Sequence, residues 1–514
     1  MGNKTKAAAQ NPAKVKHVGN TELIVFIFAV FFYTMMTGMI NGYRSDYMVN
    51  ILSMPEGHVA TFNAVTGIAG YVLSFIYALI LDNKKIKNNE KFKPLGFAAA
   101  IPCGIITVLI FLVPDFLRSN PSVLLAYMIF LALVQGACFY FGNTINMVAM
   151  VMTPDLKERE NVLSYRGISS AIGNSAPMVV VLVIGLIIKA IQGEENPELN
   201  YIISSILCGV VGTVTMLLAM RMIKERTVYS EKKQNPLIGF RDILKSPHAR
   251  TIILSETLKS FRGIATYMET FMAIAVLGTA SKKIIFVLPV GVGTFVGMIV
   301  VKMLLKKFNS RQLYIASGCY SLLINCVSFA IGYTQFTMEH NGQDPGILQY
   351  IFVVCLFLTG IQFGASNLLP TMFQADALDD LELKTGKRLD ASLPFAIGLG
   401  TVISGTIAST LAPLILYGEN SIIQYVQGTA ADPYPVQSYD TKIKLLFFYT
   451  IFHGIMMLLA GLPFITYKLT GKAKEDMHDS LIAYREALAA EQNVTSPVSA
   501  TEEENSKNNV PWEE

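Results

Sequence analysis

The chain has 514 residues, of which 52% are hydrophobic and 15% are charged, and its formal net charge is +4. Soluble globular proteins carry about 25% charged residues, so this composition indicates an integral membrane protein. The small net charge and the clustering of the basic residues favour membrane topology over nucleic-acid binding, and we expect no nucleic-acid partner.

Twelve apolar runs follow one another along the chain, each close to the length of about 20 residues that a helix needs to cross a bilayer. The first run is too long for a signal-peptide core and no small-residue cleavage site stands out, so we interpret it as a membrane helix. We therefore predict an all-α membrane protein with twelve transmembrane helices. The runs are 22–42, 59–81, 95–113, 122–151, 167–191, 201–222, 251–277, 284–305, 312–335, 347–372, 391–416 and 443–467.

Basic residues are distributed unevenly among the segments that connect these runs. The segments after the even-numbered helices hold most of the lysines and arginines, whereas the segments after the odd-numbered helices hold few. Basic segments are retained on the cytoplasmic side of a membrane. The pattern predicts a multi-pass protein of the plasma membrane (the cell inner membrane) with both termini in the cytoplasm.

The domain organisation follows from a repeat of charged segments. The segments 153–166 and 375–388 occupy matching places before helices five and eleven, and basic turns follow both helix two and helix eight. Such repetition is typical of transporters built from two related halves. We predict a cytoplasmic tail (1–21), a six-helix bundle (22–222), a cytoplasmic linker (223–250), a second six-helix bundle (251–468) and a cytoplasmic tail (469–514). The last segment has helical spacing at first and a disordered composition at its end.

Motifs for metal, disulfide and nucleotide chemistry are missing from the sequence. The six cysteines lie in or beside apolar runs without a CxxC pair, so we expect neither a disulfide nor a metal site. The sequence has no Gly-x-x-x-x-Gly-Lys-Ser/Thr loop, so transport is not driven by ATP through this chain. We predict a protein that is not an enzyme and has no cofactor other than a co-transported H+ or Na+.

Four stretches carry a resemblance to a known family: Lys91-Phe92-Lys93-Pro94, the segment 158–166, Leu244-Lys245-Ser246-Pro247 and the segment 375–388. Together they resemble the glycoside–pentoside–hexuronide cation symporter family, a branch of the major facilitator superfamily that includes the melibiose carrier. The resemblance covers residues 22 to 468, and Asp-x-x-Asp-x-x-Glu-x-Lys-Thr-Gly-Lys-Arg is its most specific part. It implies two six-helix bundles that pivot around a sugar site near the bilayer midplane, with helices one, four, seven and ten lining the cavity.

The sequence departs from the pattern of this family at the residues that bind cation and sugar. Helix two of cation-coupled relatives carries paired acidic residues, and helices one and four carry acids at the sugar site. The corresponding places here are not acidic, and the familiar lysine of helix eleven is also missing. We therefore carry over the fold and the carrier mechanism, but neither sodium coupling nor galactoside recognition. The corresponding places fall near Tyr71, Phe75, Thr34, Gly142, Asn143 and Val402.

Helix seven is unusual because it contains several charged residues. A charge at the centre of a membrane helix costs about 2.5–3.5 kcal/mol on insertion scales. Glu256, Lys259 and Arg262 follow at three-residue steps, so neighbours can pair along one face. We predict that Arg262 and Lys259 bind an anionic or hydroxyl-rich substrate, since a guanidinium matches a carboxylate; a structural ion pair is the alternative. Glu269 and Glu256 are the candidates for H+ coupling.

Other polar residues inside the helices are candidates for the sugar site. Asn143 and Asn146 share a face of helix four and can hydrogen-bond hydroxyls, and Tyr140 can stack on a sugar ring. Helix packing through asparagine is the alternative. The remaining candidates are Tyr33, Arg166, Gln362 and Asn367.

The charged segments are predicted to form a cytoplasmic gate, in which ion pairs close the inner side of an outward-open carrier and break when that side opens. The gate residues are Lys91, Glu158, Arg159, Asp376, Asp379, Lys384, Lys387 and Arg388.

Together these features predict a secondary active transporter that moves a sugar or glycoside by alternating access, either coupled to H+ or Na+ or uncoupled. A hexuronide is an attractive substrate because the acids of the family's site are missing while Arg262 and Lys259 remain. The alternatives are a carrier of another small organic anion, an uncoupled facilitator, and a non-transporting sensor. We expect a monomer in the lipid bilayer.

Overall fold

The fold is all-helical over the residues described by the computed structural model, which are 17–83, 90, 92–153, 156–226, 240–386, 392–429 and 432–495. Each of the twelve apolar runs corresponds to a helix or to a helix in two or three pieces, and a further helix follows. The helices are α1 (Asn20–Asp46, continued by a π-helical turn Tyr47–Ile51), α2 (Glu56–Asn83), α3 (Lys93–Leu109), α4a (Pro121–Gly142), α4b (Thr144–Val148), α5 (Leu156–Gln192), α6 (Pro197–Met222), α7a (Pro247–Ser260), α7b (Gly263–Leu277), α8 (Ile284–Leu304), α9 (Ser310–His340), α10 (Leu348–Thr385), α11 (Ser392–Leu416), α12 (Tyr439–Phe447, a π-helical turn Phe448–Phe452 and His453–Gly461) and α13 (Lys472–Thr495).

Among the described residues, nine helical segments are long and apolar enough to cross a membrane, judged by length and composition. α3 is a shorter apolar helix of 17 residues, and α7 is divided into two pieces. Short helical turns lie at Asp115–Arg118, Phe240–Lys245 and Ala280–Lys283. Within the predicted linker, residues 227–239 lie outside the described part of the chain.

α10 is longer than the apolar run from which it was predicted. The run ends at residue 372, but the helix continues through the charged segment to Thr385. Residues 374–385 contain neither glycine nor proline, so nothing in this segment interrupts the helix. The helix ends at Gly386, whose φ of +66° is a left-handed conformation that glycine adopts readily, and its amide donates to the carbonyl of Glu382 at 2.8 Å. The charged segment is thus mostly a helical extension and not a loop.

α4 and α7 are interrupted where the sequence predicted continuous helices. The first break lies at Asn143 and the second at Phe261–Arg262. At both places the hydrogen bonds tighten, because the amide of Asn146 donates to the carbonyl of Asn143 at 2.9 Å and that of Arg262 to the carbonyl of Lys259 at 3.1 Å. A glycine adjoins each break, and glycine has low helix propensity. Transporters commonly place their substrate sites at such interruptions.

Helices α8 and α10 approach each other closely along a row of glycines. A side chain at Gly293 would meet the backbone at Phe357 and Gly360, and one at Gly297 would meet the backbone at Ile361. Small residues at these positions let two backbones pack together, which is a common means of helix association in membranes.

The two halves of the chain are hydrogen-bonded near one face of the bundle. We call this the outer face, and the opposite face, where α1 begins and α13 lies, the inner face. The side-chain amide of Asn63 on α2 donates to the carbonyl of Ser409 on α11 at 2.7 Å, and Asn200 on α6 donates to the Ser281 hydroxyl at 3.2 Å. The hydrogen bonds that we find between halves, taking described residues only, all lie in the outer half.

The tail helix α13 packs against the extended end of α10 at the inner face. Met477 and Leu481 are buried. Lys474 pairs with Asp376 at 2.7 Å between Nζ and Oδ2. The tail is therefore part of the folded structure over these residues.

Candidate functional site

A cavity of about 350 Å³ opens at the break in α7. One wall comes from α7 and the residues of the break, and the other comes from α11. Polar and charged groups from α7 therefore face a polar stretch of α11. The lining residues are Lys259, Ser260, Arg262, Gly263, Thr266, Thr401 and Gly405.

Arg262 is the most distinctive residue of this cavity. Its guanidinium carbon lies 4.4 Å from the centroid of the Phe363 ring on α10, which is a cation–π geometry. Its Nη1 atom is buried and has no hydrogen-bond partner among the residues that the structure describes. An unpaired buried guanidinium N–H is costly, so this atom is suited to bind an anion.

Lys259 lies beside Arg262 but is engaged by Glu256. The Lys259 Nζ atom lies 2.6 Å from Glu256 Oε1 and 2.5 Å from Oε2, and both side chains are largely buried. The charges of Lys259 and Glu256 cancel, so these two residues and Arg262 together carry one net positive charge. The sequence prediction of pairing along this face matches the observed contacts.

Glu269, the other candidate for cation coupling, also pairs with a lysine. Its Oε1 atom lies 3.3 Å from the Nζ atom of Lys283, and Lys283 donates to the hydroxyl of Thr270 at 2.7 Å. Lys283 is only 6% exposed although it lies just before the apolar run 284–305. Both candidate acids are therefore held by a lysine from the same half of the chain.

Of the two α10 candidates, Gln362 is buried and Asn367 is exposed. Gln362 donates to the hydroxyl of Ser366 at 2.8 Å, while its Oε1 atom has no partner within the described structure. Sequence reasoning missed Phe363 and also His453 of α12, whose rings lie 5.1 Å apart. An aromatic residue in an apolar run gives no sign that a guanidinium from another helix packs on it.

The first half of the chain brings three predicted residues together at the break in α4. The side-chain amide of Asn146 donates to Asn143 Oδ1 at 2.9 Å, and Arg166 Nη1 donates to the carbonyl of Asn146 at 3.4 Å. Tyr140 lies nearby in sequence, and its ring centroid is 5.5 Å from that of Tyr77 on α2. No hydrogen bond between described residues joins this group to the cavity at Arg262.

Tyr33 serves packing in this structure. Its hydroxyl donates to the carbonyl of Phe139 at 2.7 Å, and it is only 4% exposed. Its ring lies against Gly142, where an added side chain would meet the ring at 3.0 Å. Tyr33 therefore joins α1 to α4.

Three of the described gate residues make contacts within their own half of the chain. Asp376 pairs with Lys474, Asp379 Oδ2 lies 4.0 Å from Nδ1 of His478, and Lys384 pairs with Asp380 at 2.8 Å. Lys91, Lys387 and Arg388 lie outside the described residues, as does the side chain of Arg159. The ionic gate between the halves therefore stays a prediction.

Glu158, the remaining gate residue, accepts hydrogen bonds at the start of α5. The donors are the hydroxyl of Thr153 at 2.6 Å and the amides of Val18 at 2.9 Å and His17 at 3.3 Å. Burial acts to raise the pKa of this carboxyl, but the hydrogen bonds outweigh it and lower the pKa. Glu158 thereby fixes the start of α1.

Comparison with known proteins shows to which family the chain belongs. Residues 23–471 match the family described as "MFS/sugar transport protein". The chain belongs to this family. It is therefore a secondary active sugar transporter of the major facilitator superfamily and not an enzyme, as the sequence predicted. Multi-pass insertion in the inner membrane agrees with its apolar helices and with a relative named "Inner membrane symporter YicJ" from Escherichia coli.

Named relatives of this sugar transporter share about a fifth of its sequence. "Putative glycoside/cation symporter YagG" from Escherichia coli is 23% identical over 461 residues, which cover 86% of this chain and 90% of the relative. "Putative sulfoquinovose importer" from Salmonella typhimurium is 22% identical over 390 residues, which cover 73% of this chain and 76% of the relative.

Solved structures show the same fold for this transporter. The nucleoside transporter NupG aligns with a TM-score of 0.55 and 12% identity, covering 87% of this chain and 100% of that one. The inward-open xylose transporter XylE from Escherichia coli aligns with a TM-score of 0.53 and 14% identity, covering 88% and 97% of the two chains. The predicted major facilitator fold is confirmed.

Proposed function

We propose that this transporter carries an anionic sugar, such as a hexuronide, and that Arg262 binds the acidic group. The observation that carries the proposal is Arg262, which lines the cavity and whose buried Nη1 atom is unpaired among the described residues. A charged donor beside a cavity in the membrane interior has a strong electrostatic preference for an anion, because the surroundings have a low dielectric constant.

The size and lining of the cavity support a sugar-sized ligand. Its volume of about 350 Å³ falls in the range of about 300–1,000 Å³ that is usual for small-molecule sites. Ser260, Thr266 and Thr401 supply hydroxyls for sugar oxygens. Asn143, Asn146, Tyr140, Gln362, Asn367 and Arg166 remain proposed contacts for the rest of the substrate as the halves rearrange. The relatives named as a glycoside symporter and a sulfoquinovose importer are consistent with this class of substrate.

We also propose that transport is coupled to H+ through Glu256 or Glu269. Protonation of Glu256 would release Lys259 from its ion pair and add a second positive charge beside Arg262. The cavity would then bind an anion more tightly, so that proton and sugar enter together. Protonation of Glu269 would release Lys283 in the same way. Each acid forms an ion pair with a lysine, and these two ion pairs support the proposal.

Transport by purified protein in proteoliposomes tests the substrate. Uptake of labelled glucuronide is compared with uptake of the matching neutral glucoside. We expect Arg262→Ala to lower glucuronide uptake roughly 100-fold, since removing one partner of a buried charge pair costs about 2–5 kcal/mol. Arg250→Ala, at an exposed arginine of α7a, is the matched control and should transport normally. Equal binding of glucuronide by Arg262→Ala and the parent would refute the site.

The same vesicles test coupling and the alternative functions. We expect accumulation to follow an imposed pH gradient and to be lost in Glu256→Gln or Glu269→Gln. Uptake unchanged after collapse of both the Na+ and H+ gradients would exclude coupling. Competition by sugar-free organic anions at equal strength would favour an organic-anion carrier. Binding without accumulation and without counterflow would indicate a sensor.

A further inference from the structure

Residues 418–429 and 432–438, between α11 and α12, lie across the outer end of α1, and we call them the crossing segment. It belongs to the second half of the chain, whereas α1 belongs to the first. The side-chain amide of Gln427 donates to the carbonyl of Met54 at 2.9 Å, and the hydroxyl of Tyr417, just before the segment, donates to the same carbonyl at 3.1 Å. The segment therefore ties the halves together at the outer face.

Asp46 is the centre of this contact and is completely buried. Its carboxylate accepts hydrogen bonds from Asn50 Nδ2 at 2.6 Å, from the hydroxyl of Tyr434 at 3.0 Å and from the hydroxyl of Tyr201. Tyr201 comes from α6 and Tyr434 from the crossing segment, so the donors belong to both halves. The two hydroxyl oxygens lie 3.1 Å apart.

Asn50 adds a second set of bonds in the π-helical turn that follows Asp46. Its Oδ1 atom accepts from the amide of Gly428 at 3.0 Å, and the hydroxyl of Ser53 donates to the carbonyl of Gly428 at 2.8 Å. A side chain at Gly428 would collide with the carbonyl oxygens of Pro433 and Asn50. The crossing segment therefore fits α1 only with glycine at this position.

These bonds have a consequence for the transport cycle. Outward opening of a two-bundle carrier separates the halves at the outer face. The bonds of Tyr434 to Asp46 and of Gly428 to Asn50 join the halves, so they must break in that step. While they are intact, the buried carboxyl group of Asp46 has its hydrogen-bond partners within the protein.

We propose that Asp46, Asn50, Tyr434 and Gly428 form the outer gate of the transport cycle, which is closed in this structure, with the crossing segment (418–429 and 432–438) as its movable part. This assignment is independent of the proposed substrate. It is a role for residues outside the sugar cavity, and it predicts that weakening the gate favours the outward-open state.

Distances between spin labels test the gate without any substrate. Ser119→Cys and Asn341→Cys place labels at exposed outer positions of the two halves, and Lys224→Cys with Lys306→Cys places them at exposed inner positions. The background has all six native cysteines replaced. The protein is measured in lipid nanodiscs by double electron–electron resonance, one pair at a time.

Tyr434→Phe removes one hydroxyl and leaves the ring. Loss of a buried hydrogen bond costs enough that the ratio of outward-open to outward-closed protein should rise on the order of tenfold. The outer distance should lengthen while the inner distance shortens. Gly428→Ala should act in the same direction through its collision with Asn50. Tyr350→Phe, at a tyrosine that is 67% exposed, is the control and should leave both distances unchanged.

Two results would overturn the proposal. Unchanged outer distances in both Tyr434→Phe and Gly428→Ala would show that these contacts do not hold the outer face closed. If the distance distributions of both label pairs broaden, and the outer distance does not lengthen while the inner distance shortens, then the contacts serve folding alone. Failure of the Arg262 experiment would leave this test unaffected, because the distances are measured in the protein without sugar.

Discussion

The glycine row between α8 and α10 gives a quantitative prediction. An alanine Cβ at Gly297 would lie 2.8 Å from both the carbonyl carbon and the Cα of Ile361, well inside the 3.4 Å at which ordinary contacts begin. The opposing atoms are backbone, so no side-chain rotation relieves the collision and the helices must separate. Overpacking of this kind costs about 1–3 kcal/mol.

Gly291→Ala is the matched control because Gly291 lies on the same helix and an added Cβ there meets nothing within 4 Å. Alanine is favoured over glycine in a helix by about 1 kcal/mol, and both variants receive this contribution. The difference between the variants therefore isolates the collision. We expect Gly297→Ala to be less stable than Gly291→Ala by about 1–3 kcal/mol.

Unfolding in mixed micelles, followed by circular dichroism as the denaturing detergent is increased, measures this difference. The same preparations are assayed for transport, so that loss of activity can be compared with loss of stability. If the two variants have the same free energy of unfolding, then α8 and α10 are not in backbone contact and the reasoning fails.

Three further predictions concern the inner face. Arg226→Ala should lower the free energy of unfolding by about 1.5–3 kcal/mol, because the guanidinium makes hydrogen bonds of 2.7 and 2.9 Å to the carboxylate of Glu22. The control is Lys189→Ala, which breaks a more exposed ion pair with Glu195. It should change the free energy of unfolding by less than about 1 kcal/mol. Glu158 has a lowered pKa, so its contribution to stability is present above the ordinary pKa of glutamate and is lost as the pH falls through the folded-state value; Thr153→Val should raise that pKa and weaken the dependence, and identical pH profiles for the two proteins would contradict this. Lys474→Ala should speed hydrogen exchange in residues 375–385, because Asp376 loses its 2.7 Å partner, whereas the exposed Lys306→Ala should not.

The sequence predicted the fold because hydrophobicity over about 20 residues reports directly on membrane crossing. It did not predict where α10 ends, since the charged segment 375–385 is polar yet free of helix breakers. Nor did it predict the breaks at Asn143 and Arg262, because a local tightening of hydrogen bonds leaves the apolar pattern unchanged.

For a similar reason, only part of the candidate site could be predicted from the sequence. Arg262 stood out because a charge in an apolar run needs a partner or a ligand. Phe363 and His453 did not, because their importance comes from packing between helices that are distant in sequence. The first apolar run ends at residue 42, so the sequence placed Asp46 in a connecting segment. In the structure α1 continues to Asp46, which is buried and bonded to Tyr434, almost four hundred residues later in the chain.

The docking of α13 has a practical consequence for how this protein is produced. Ala377 and Leu381 of α10 are buried in the same apolar cluster as Met477. A chain shortened after Gly471 would present that strip to water, where exposed apolar surface attracts quality-control proteases and promotes aggregation. Purification tags and fluorescent reporters are therefore better attached beyond residue 495, so that the strip stays covered.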